Sequence, residues 1–414
     1  MEQYDVAIVG ASIAGSTAAI LMGRAGLRVA LIERRTKPDA YKVLCTHYIQ
    51  SSATPTIQRL GLAEHIEAEG AIRNEPEMWC RWGWILPPGE RPHGYNVRRQ
   101  TLDPILRNLA AQTPGVELRP GERVTELIKS DEAIAGVVAK SSAGNERSIE
   151  TRLVVGADGR RSTVARLAGV REKTAPNDRA AYFAHYTGVS SASGTRSQIW
   201  LLEPDVAFMH PNDGGITLLA AMPAQARLAA FKEDSEAALL NQFDGLPRGP
   251  DMTHAQRVTS VIGTVDYPII ERPAIPRSGL ALAGDAKLST DPLWGVGCGW
   301  AFQMGEWLAD AVVPALSGHG DLSAGLRRYS RECRAIKGHQ AFIADFARAR
   351  PYNLMERLTF SAAARDEAFA AHLDAFGSRR IPVRQFLSPA ALTHAAWVNL
   401  RHMLGNGRSA DRRP

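Results

Sequence analysis

A glycine-rich turn near the start of the chain has the residue types that bind phosphate. Its sequence is Gly10-Ala11-Ser12-Ile13-Ala14-Gly15, between an apolar run, residues 5–9, and a stretch of helix formers, residues 16–25. A helix that begins at such a turn offers unpaired backbone N–H groups and a partial positive charge to an anion. Gly10 permits the sharp turn, and Gly15 allows the helix to pack closely on the strand. The segment therefore predicts a pyrophosphate-binding site.

An acidic residue follows this turn at the distance that nucleotide-binding units use. Glu33 ends a second apolar run, residues 28–32, about twenty residues beyond the turn, and can accept hydrogen bonds from a ribose diol. Arg34 follows it directly. The middle position of the glycine pattern is Ser12, so the turn departs from the pattern at one residue. Strand, turn, helix and strand together predict a dinucleotide-binding βαβ unit, and the alternative is a Rossmann-like turn without a ligand.

The composition is that of an enzyme-sized globular protein. The chain has 414 residues, of which 45% are hydrophobic and 22% charged, and it is long enough for two or three domains. The net charge is +6, but the basic residues are scattered, with pairs such as Arg98-Arg99 as the densest groups. No basic run alternates with aromatic residues, which argues against nucleic-acid binding.

The cysteines and the hydropathy pattern favour a cytoplasmic protein. Cys45, Cys80, Cys298 and Cys333 are widely spaced, with no histidine pair nearby. We therefore expect reduced thiols and no metal site. No apolar run reaches the ~18 residues of a transmembrane helix, and the first strand begins at once. We expect no signal peptide and no stable membrane insertion.

The elements that position these residues are predicted to form two domains and a helical end. After an amphipathic helix, residues 101–112, we expect a meander of strands. Residues 180–267 predict a mostly antiparallel sheet with an inserted helix, residues 224–243. Beyond Gly299 the chain reads as mainly helical. The strands of the meander are predicted at residues 116–118, 124–129, 133–140 and 146–152, with a further strand at 153–155.

Three separated segments together resemble a known family. They are the N-terminal βαβ unit, the turn Val155-Gly156-Ala157-Asp158-Gly159, and Leu282-Ala283-Gly284-Asp285-Ala286. In this order they resemble the class A flavoprotein monooxygenases of the para-hydroxybenzoate hydroxylase type and their geranylgeranyl-reductase and halogenase relatives. The resemblance covers residues 1 to roughly 315 of the sequence and implies bound FAD.

The resemblance implies an α/β fold. A Rossmann-like FAD-binding domain, with a βαβ unit of the glutathione-reductase type, would carry an inserted, mostly antiparallel β-sheet substrate domain and a helical C-terminus. The implied boundaries are residues 1–72, 96–178 and 268–318 for the FAD-binding domain, 73–95 and 179–267 for the sheet domain, 319–404 for the helical region, and 405–414 for a disordered tail.

The resemblance also implies cofactor contacts, residue by residue. Gly10 and Gly15 would hold the FAD pyrophosphate, and Glu33 the adenosine ribose. Arg99 would contact the FAD chain, Asp158 would lie beside the cofactor, and Asp285 would accept a ribityl hydroxyl. The full predicted set is Gly10, Ser12, Ile13, Ala14, Gly15, Glu33, Arg34, Arg99, Asp158, Gly284, Asp285, Pro292, Gly295, Gly297 and Gly299.

The segment Asp291–Gly299 has a physical reason to face the flavin ring. Its glycines allow the backbone to approach a flat ring closely, and it precedes a predicted helix, residues 300–313. A helix N-terminus there would stabilise negative charge on a reduced flavin. Lys287 could neutralise charge nearby, but we favour a solvated surface lysine.

No catalytic residue is assigned, and the pocket candidates are weaker than the cofactor contacts. The run Trp82-Gly83-Trp84-Ile85-Leu86-Pro87 is similar to a halogenase signature and to an aromatic segment of prenyl reductases. It stands before Arg99, whereas those families carry it after the Asp-Gly turn, so we interpret it as a pocket wall or as packing. Strand alternation allows only one of two neighbours, residues 185 and 186, to face a pocket. The candidates are His47, Trp84, His185, Tyr186 and Trp200.

The function that the resemblance favours is that of an FAD-dependent monooxygenase of secondary metabolism. NAD(P)H would bind transiently and reduce the flavin, and O2 would form a flavin C4a-hydroperoxide that hydroxylates or epoxidises an apolar or aromatic small molecule. The alternatives are a geranylgeranyl-type C=C reductase, a flavin halogenase, and a flavin-binding protein without turnover. The expected partners are a small organic substrate and O2, and the protein would be a monomer or a homodimer.

Overall fold

Contacts divide the described chain into two units. The computed structural model describes the backbone of residues 2–410 and the side chains of residues 2–405. The first unit comprises residues 2–71, Val97–Ala175 and Pro268–Lys337. The second comprises Ile72–Asn96, Pro176–Tyr267 and the residues from Gly338 onward.

The helices and strands follow one another along the chain with short connections. The strands are β1 (Glu2–Val9), β2 (Val29–Glu33), β3 (Tyr48–Ile49), β4 (Ile72–Asn74), β5 (Glu77–Cys80), β6 (Gly83–Ile85), β7 (Gly94–Asn96), β8 (Val116–Pro120), β9 (Glu122–Ser130), β10 (Ala133–Ser141), β11 (Glu146–Gly156), β12 (Lys173–Ala175), β13 (Ala181–Thr187), β14 (Gln198–Leu201), β15 (Val206–Pro211), β16 (Thr217–Met222), β17 (Gln256–Arg257), β18 (Ile262–Thr264), β19 (Ile269–Glu271), β20 (Leu280–Leu282) and β21 (Leu288–Ser289). The helices are α1 (Ile13–Arg24), α2 (Thr54–Arg59), α3 (Leu62–Ala68), α4 (Arg99–Ala111), α5 (Thr163–Leu167), α6 (Leu228–Glu233), α7 (Ser235–Asn241), α8 (Val296–Leu316), α9 (Leu322–Ala335), α10 (Lys337–Phe346), α11 (Leu354–Ala363), α12 (Glu367–Gly377), α13 (Val383–Phe386) and α14 (Pro389–Ala410).

A mainly parallel sheet forms the centre of the first unit. β8, β2, β1 and β11 lie side by side in parallel, and β20 pairs in parallel with the end of β11. Val6, Ala7 and Ile8 of β1 are completely buried, as expected for a parallel strand that is covered on both faces. The carboxyl ends of β1, β2 and β11 meet at one edge, and the predicted nucleotide turn begins at that edge. The Rossmann-like fold is confirmed.

The predicted meander is partly wrong. β9, β10 and the first half of β11 form an antiparallel sheet, but β8 pairs in parallel with β2, after the crossover that contains α4. β11 is a single strand of 11 residues, whereas the sequence predicts two strands there. Its first half pairs with β10 and its last residues pair with β20, so the hydropathy pattern changes along one strand.

A mostly antiparallel sheet forms the centre of the second unit. β13, β16, β15, β14, β5 and β6 lie in that order, and only the pair of β14 and β5 is parallel. The inserted helix is two helices, α6 and α7, because Asp234 has an extended backbone and its carboxylate accepts the N–H groups of Glu236 and Ala237. These helices cover one face of the sheet, where Tyr182 stacks on Phe231.

The helices beyond α8 do not form a separate region. α9 belongs to the first unit, where Tyr329 donates its hydroxyl proton to the carbonyl of Leu282 at 2.7 Å. The chain from α10 onward packs on the second unit, where the N–H of Asp178 donates to the carbonyl of Ala347 at 2.9 Å. Of the predicted disordered tail, residues 405–410 are the end of α14, and residues 411–414 lie outside the described residues.

α1 and α8 pack closely because a glycine lies between them. A Cβ atom at Gly305 would approach the carbonyl oxygen of Ala14 to 2.7 Å and the Cβ of Thr17 to 2.8 Å. The same helix contains Gly297, where a Cβ atom would meet nothing within 4 Å. The two glycines therefore provide a matched comparison within one helix.

We expect Gly305→Ala to lower the free energy of unfolding by about 1–3 kcal/mol, because overpacking outweighs the gain in helix propensity. Gly297→Ala serves as the control and should leave it unchanged or slightly higher. Urea denaturation of both variants measures the difference. Equal midpoints would contradict close packing of α1 on α8.

Candidate cofactor site

The turn after β1 admits only glycine at two positions. Gly10 has φ +105, and a Cβ atom there would lie 2.5 Å from the carbonyl oxygen of Ala157. A Cβ atom at Gly15 would lie 1.9 Å from the carbonyl oxygen of Gly10. The N–H of Gly10 donates to Ile32 at 2.8 Å, which ties the turn to β2. The turn therefore holds the N-terminus of α1 at the carboxyl edge of the sheet.

Ser12, the departure from the glycine pattern, anchors an arginine. It precedes α1, but its side chain does not cap the helix. Its Oγ instead accepts a hydrogen bond from Nη2 of Arg99 at 2.7 Å. The first-turn amides consequently keep their capacity to bind an anion, and a guanidinium lies beside them. Both features suit a pyrophosphate.

Arg99 is buried and paired with Asp103 one helical turn later. Its Nε and Nη2 donate to Oδ1 of Asp103 at 2.8 and 2.7 Å. Burial alone would lower the pKa of Arg99, but the negative charge of Asp103 outweighs it and the pKa is raised. Asp103 also accepts the N–H of Lys42 at 2.9 Å, and Arg107 donates to the carbonyls of Pro38 and Ala40. One face of α4 thus holds the loop that leads to Lys42.

Glu33 stabilises the turn and retains acceptor capacity. Its Oε2 accepts the N–H of Ala11 at 3.0 Å and its Oε1 accepts the N–H of Arg35 at 3.0 Å. Each carboxylate oxygen has a further lone pair for a ribose hydroxyl. Glu33 is buried, whereas Arg34 is exposed. The predicted position of Glu33 beside the turn is therefore the one found.

Asp285 lies next to the same turn and pairs with a lysine. A Cβ atom at Gly284, which has φ +57, would come within 3.0 Å of the Cβ of Ala14. Oδ2 of Asp285 accepts from Nζ of Lys42 at 2.7 Å, and the two side chains are 19% and 36% exposed. The sequence gives no sign of Lys42, since its partner is distant along the chain.

Asp158 has a local structural task. It accepts from Oγ of Ser162 at 2.6 Å and from the N–H of Val164 at 3.1 Å, and thereby fixes the start of α5. Its Cα would lie 3.0 Å from a Cβ atom at Gly10. Asp158 thus borders the turn, as predicted, while its carboxylate holds the neighbouring helix.

α8 begins earlier than predicted, at Val296 rather than Trp300. Asp291 accepts the N–H of Leu293 at 2.7 Å and fixes the single turn that contains Pro292. Gly295 has φ +61, and a Cβ atom there would overlap the ring of Tyr48. Gly297 and Gly299 consequently belong to the first turn of the helix, where Gly299 is buried and Gly297 is exposed.

The residues around this helix start fit a flat, polar ring system. Gly297 faces open space, and the N-terminus of α8 supplies positive potential there. The hydroxyl of Thr290 is buried and has no hydrogen-bond partner within residues 2–405. A bound group that accepts or donates there would satisfy it. These observations fit the flavin end of FAD.

His47 is held by backbone contacts and is strained. It is buried, has φ +63, and its Nδ1 accepts the N–H of Arg99 at 3.2 Å. A neutral ring therefore carries its proton on Nε2. His47 belongs to the first unit and stays a candidate contact.

The other pocket candidates lie in the second unit on opposite faces of its sheet. Tyr186 and Trp200 belong to the core under α6 and α7, and Trp84 packs edge-on against Trp200. This placement corrects the prediction of Tyr186 and Trp200 as pocket residues, because both are used in packing. His185 points to the other face, where its Nδ1 lies 3.2 Å from Oγ1 of Thr259.

Lys287 is not the solvated lysine that the sequence favours. Its side chain is 5% exposed, and its Nζ lies 3.1 Å from Oε1 of Glu271. It joins the end of the Gly284-Asp285 turn to β19. Neutralisation of a buried carboxylate explains why this position tolerates a charge.

The fold and the turn, helix N-termini and paired carboxylates define a dinucleotide-binding oxidoreductase. Residues 3–238 match the family described as FAD binding domain, which covers more than half of the chain. The protein belongs to this family, and it is an FAD-dependent oxidoreductase. Its relatives are class A monooxygenases, halogenases and geranylgeranyl reductases.

Three known proteins illustrate the range of these relatives. Digeranylgeranylglycerophospholipid reductase 2 of Methanococcoides burtonii is 28% identical over 82% of both chains. Kynurenine 3-monooxygenase of Salinispora arenicola is 25% identical over 94% of this chain and 89% of its own. The structure of the flavin-dependent brominase Bmp2 superposes with a TM-score of 0.77 at 21% identity, over 97% of this chain and 100% of the other. The last comparison supports the fold.

Two further searches bear on the site and its surroundings. Among residues 2–405 no cluster of three or more histidine, cysteine or acidic side chains could hold a metal ion. Within the described helices, none is both long and apolar enough to cross a membrane.

We expect Asp285→Ala to weaken FAD binding by about 1.5–3 kcal/mol, the value of a hydrogen bond to a charged group. Lys42→Met breaks the same ion pair but keeps the acceptor, and should weaken binding less. Asp310→Ala is the matched control, since Asp310 is also an ion-paired carboxylate, with Arg59 at 2.7 Å. Equilibrium titration with FAD measures all three. Wild-type affinity in Asp285→Ala would contradict the assignment.

Arg99→Met should lower the free energy of unfolding by about 3–5 kcal/mol, because it leaves Asp103 buried and unpaired. The double variant Arg99→Met/Asp103→Leu removes both charges and should recover most of this loss. Urea denaturation at neutral pH compares the single and double variants. An equal loss in both would show that the buried carboxylate does not cause the instability.

Proposed function

We propose that this protein is an FAD-dependent monooxygenase that uses NAD(P)H and O2 to oxygenate an apolar or aromatic small molecule. The observation that carries the proposal is the start of α8, where Gly297 faces open space at a helix N-terminus. Positive potential at this point favours the anionic reduced form of a flavin, the form that reacts with O2. The cytoplasmic location, the transient NAD(P)H and the monomeric or dimeric state belong to the same proposal.

The proposed cofactor contacts divide by the end of FAD that they would hold. The N-terminus of α1, with Ser12 and Arg99 beside it, would bind the pyrophosphate, and Glu33 the adenosine ribose. Asp285 would accept a ribityl hydroxyl, and residues 295–299 would face the ring. Bound FAD would supply the transfer of electrons and the activation of O2. The chain would position the cofactor and exclude water.

One face of the second unit's sheet supports an aromatic substrate. Phe183 and His185 of β13, and Phe208 and His210 of β15, lie on the face opposite α6 and α7. Phe208 and His210 stack at 5.6 Å between ring centroids. Aromatic rings with imidazoles among them suit a flat molecule that also carries a polar group. We propose that this face contacts the substrate.

A second candidate function is the reduction of an isoprenoid C=C bond. The support for it is the 28% identity with a digeranylgeranylglycerophospholipid reductase over 82% of both chains. The 25% identity with kynurenine 3-monooxygenase covers more of this chain, 94%. We favour the monooxygenase because its relative extends over nearly the whole chain.

Oxygen consumption separates the two functions. We expect the FAD-loaded enzyme, reduced with NADPH or NADH, to consume O2 and to insert one atom of isotope-labelled oxygen into an aromatic test substrate. Stopped-flow mixing with O2 follows the reoxidation of the flavin. If the reduced flavin instead persists in air for minutes and reduces an olefin anaerobically, the reductase is the correct function.

Gly297→Val tests the part of the site on which the proposal depends. The added side chain enters open space, so the fold should be retained, but it occupies the region where the ring would lie. We expect NAD(P)H-dependent O2 consumption to fall about a hundredfold, as misplacement by 1 Å can do. Gly297→Ala should lose much less. Full activity in Gly297→Val would contradict the proposed position of the ring.

A further inference from the structure

Two cysteines that are far apart in the sequence lie side by side in the first unit. Sγ of Cys45 is 3.8 Å from Sγ of Cys298. Cys45 is in the loop that α4 holds, and Cys298 is in the first turn of α8. Both are free thiols, and neither has a task in the packing or the contacts described above. Their proximity corrects the expectation of four isolated, unremarkable thiols.

The surroundings make the two sulfur atoms unequal. Cys45 is half-buried, whereas Cys298 is 8% exposed. Sγ of Cys45 accepts the N–H of His47 at 3.3 Å, and Nη1 of Arg99 is 3.9 Å from Sγ of Cys298. The hydrogen bond from Cys298, together with His47 and the charge of Arg99, holds the pKa of Cys45 well below its usual value. The hydrogen bond with Cys45 and burial raise the pKa of Cys298.

The remaining two cysteines provide an internal contrast. Cys80 and Cys333 are buried, and burial raises the pKa of each to about 11. At neutral pH both are protonated, and thiols in that form are poor nucleophiles. Only Cys45 combines partial exposure, a stabilised thiolate and a second thiol within reach. That combination is typical of cysteines that react with peroxides.

We propose that Cys45 and Cys298 are a modification site, a dithiol that hydrogen peroxide oxidises to a disulfide. The Cys45 thiolate attacks one peroxide oxygen, the O–O bond breaks, and hydroxide leaves and takes up a proton to form water. Cys45 is then a sulfenic acid. The sulfur of Cys298 attacks it, the S–O bond breaks, and a second water leaves. Two thiols lose two electrons and two protons, and one peroxide becomes two waters.

The geometry requires only a small movement. The disulfide bond is ~2.05 Å long, so the two sulfur atoms, 3.8 Å apart, must approach by less than 2 Å. The bond would link the loop of Lys42 and His47 to the start of α8. Reduced flavins form hydrogen peroxide when they react with O2, so the oxidant would arise close to the thiols. The modification itself requires only the peroxide and the two cysteines.

The experiment treats the FAD-loaded protein with a graded excess of hydrogen peroxide. The remaining thiols are then alkylated under denaturing conditions, and the protein is digested without reduction for mass spectrometry. We expect one new linkage, Cys45 to Cys298, with the loss of two hydrogen atoms. Cys80 and Cys333 should remain fully alkylated. Dithiothreitol should restore both thiols.

Three variants assign the roles of the two cysteines. In Cys298→Ser, Cys45 should gain one and then two oxygen atoms instead of forming a disulfide. In Cys45→Ser, Cys298 should stay reduced at the same peroxide concentration. Cys333→Ser is the matched control and should form the disulfide like the wild type. Absorbance of bound flavin confirms that each variant is folded.

The wild-type protein alone is enough to overturn the proposal. It fails if Cys45 and Cys298 stay alkylatable while free peroxide remains in excess. It also fails if Cys80 or Cys333 is oxidised as fast as Cys45, because the selectivity would then have no structural cause. Equal oxidation of Cys298 in Cys45→Ser would show that Cys45 is not the attacking group.

Discussion

The buried guanidinium of Arg99 is the interaction on which the site depends. It lies between Ser12 before α1, Asp103 in its own helix and Cys298 in α8. A buried charge is costly unless partners compensate it. Here Asp103 neutralises it, while Ser12 and Cys298 orient it. The same positive charge that these partners stabilise lies next to helix amides that can bind a phosphate group.

This arrangement explains how the chain functions without the middle glycine. A glycine there would let the backbone approach the phosphate more closely. Ser12 gives up some of that space, and its hydroxyl brings in a full positive charge. Because the hydroxyl is occupied by Arg99, it does not compete for the helix amides. The departure from the pattern is thus a substitution of charge for close approach.

The sequence predicts the parts of the site whose residues are close along the chain. The strand, turn, helix, strand and Glu33 follow from local hydropathy and glycine positions, and the structure has them where expected. It does not predict pairs brought together by folding. Lys42 and Asp285 are 243 positions apart, and Cys45 and Cys298 are 253 apart. Spacing patterns in a single sequence carry no information about such contacts.

The errors in the predicted elements have a common physical cause. Pattern reading treats each segment alone, whereas β11 changes partners along its length and β8 joins the sheet beside β2. Similarly, Asp234 ends one helix and caps the next, although both have helical composition. Neighbouring segments, and not propensity, decide these cases.

The two units carry different kinds of information about the reaction. The cofactor contacts of the first unit are backbone amides, glycines and a few charges, all of which would serve a monooxygenase, a reductase or a halogenase equally well. Reaction and substrate must therefore depend on side chains that the family motifs do not include. In the second unit these are the aromatic and imidazole side chains of β13 and β15, and in the first they are His47 and the thiol pair. A thiolate that is kept reactive beside a helix start is costly to maintain, because it invites oxidation. Its presence in this otherwise conventional cofactor site is the feature that most distinguishes the chain from its fold.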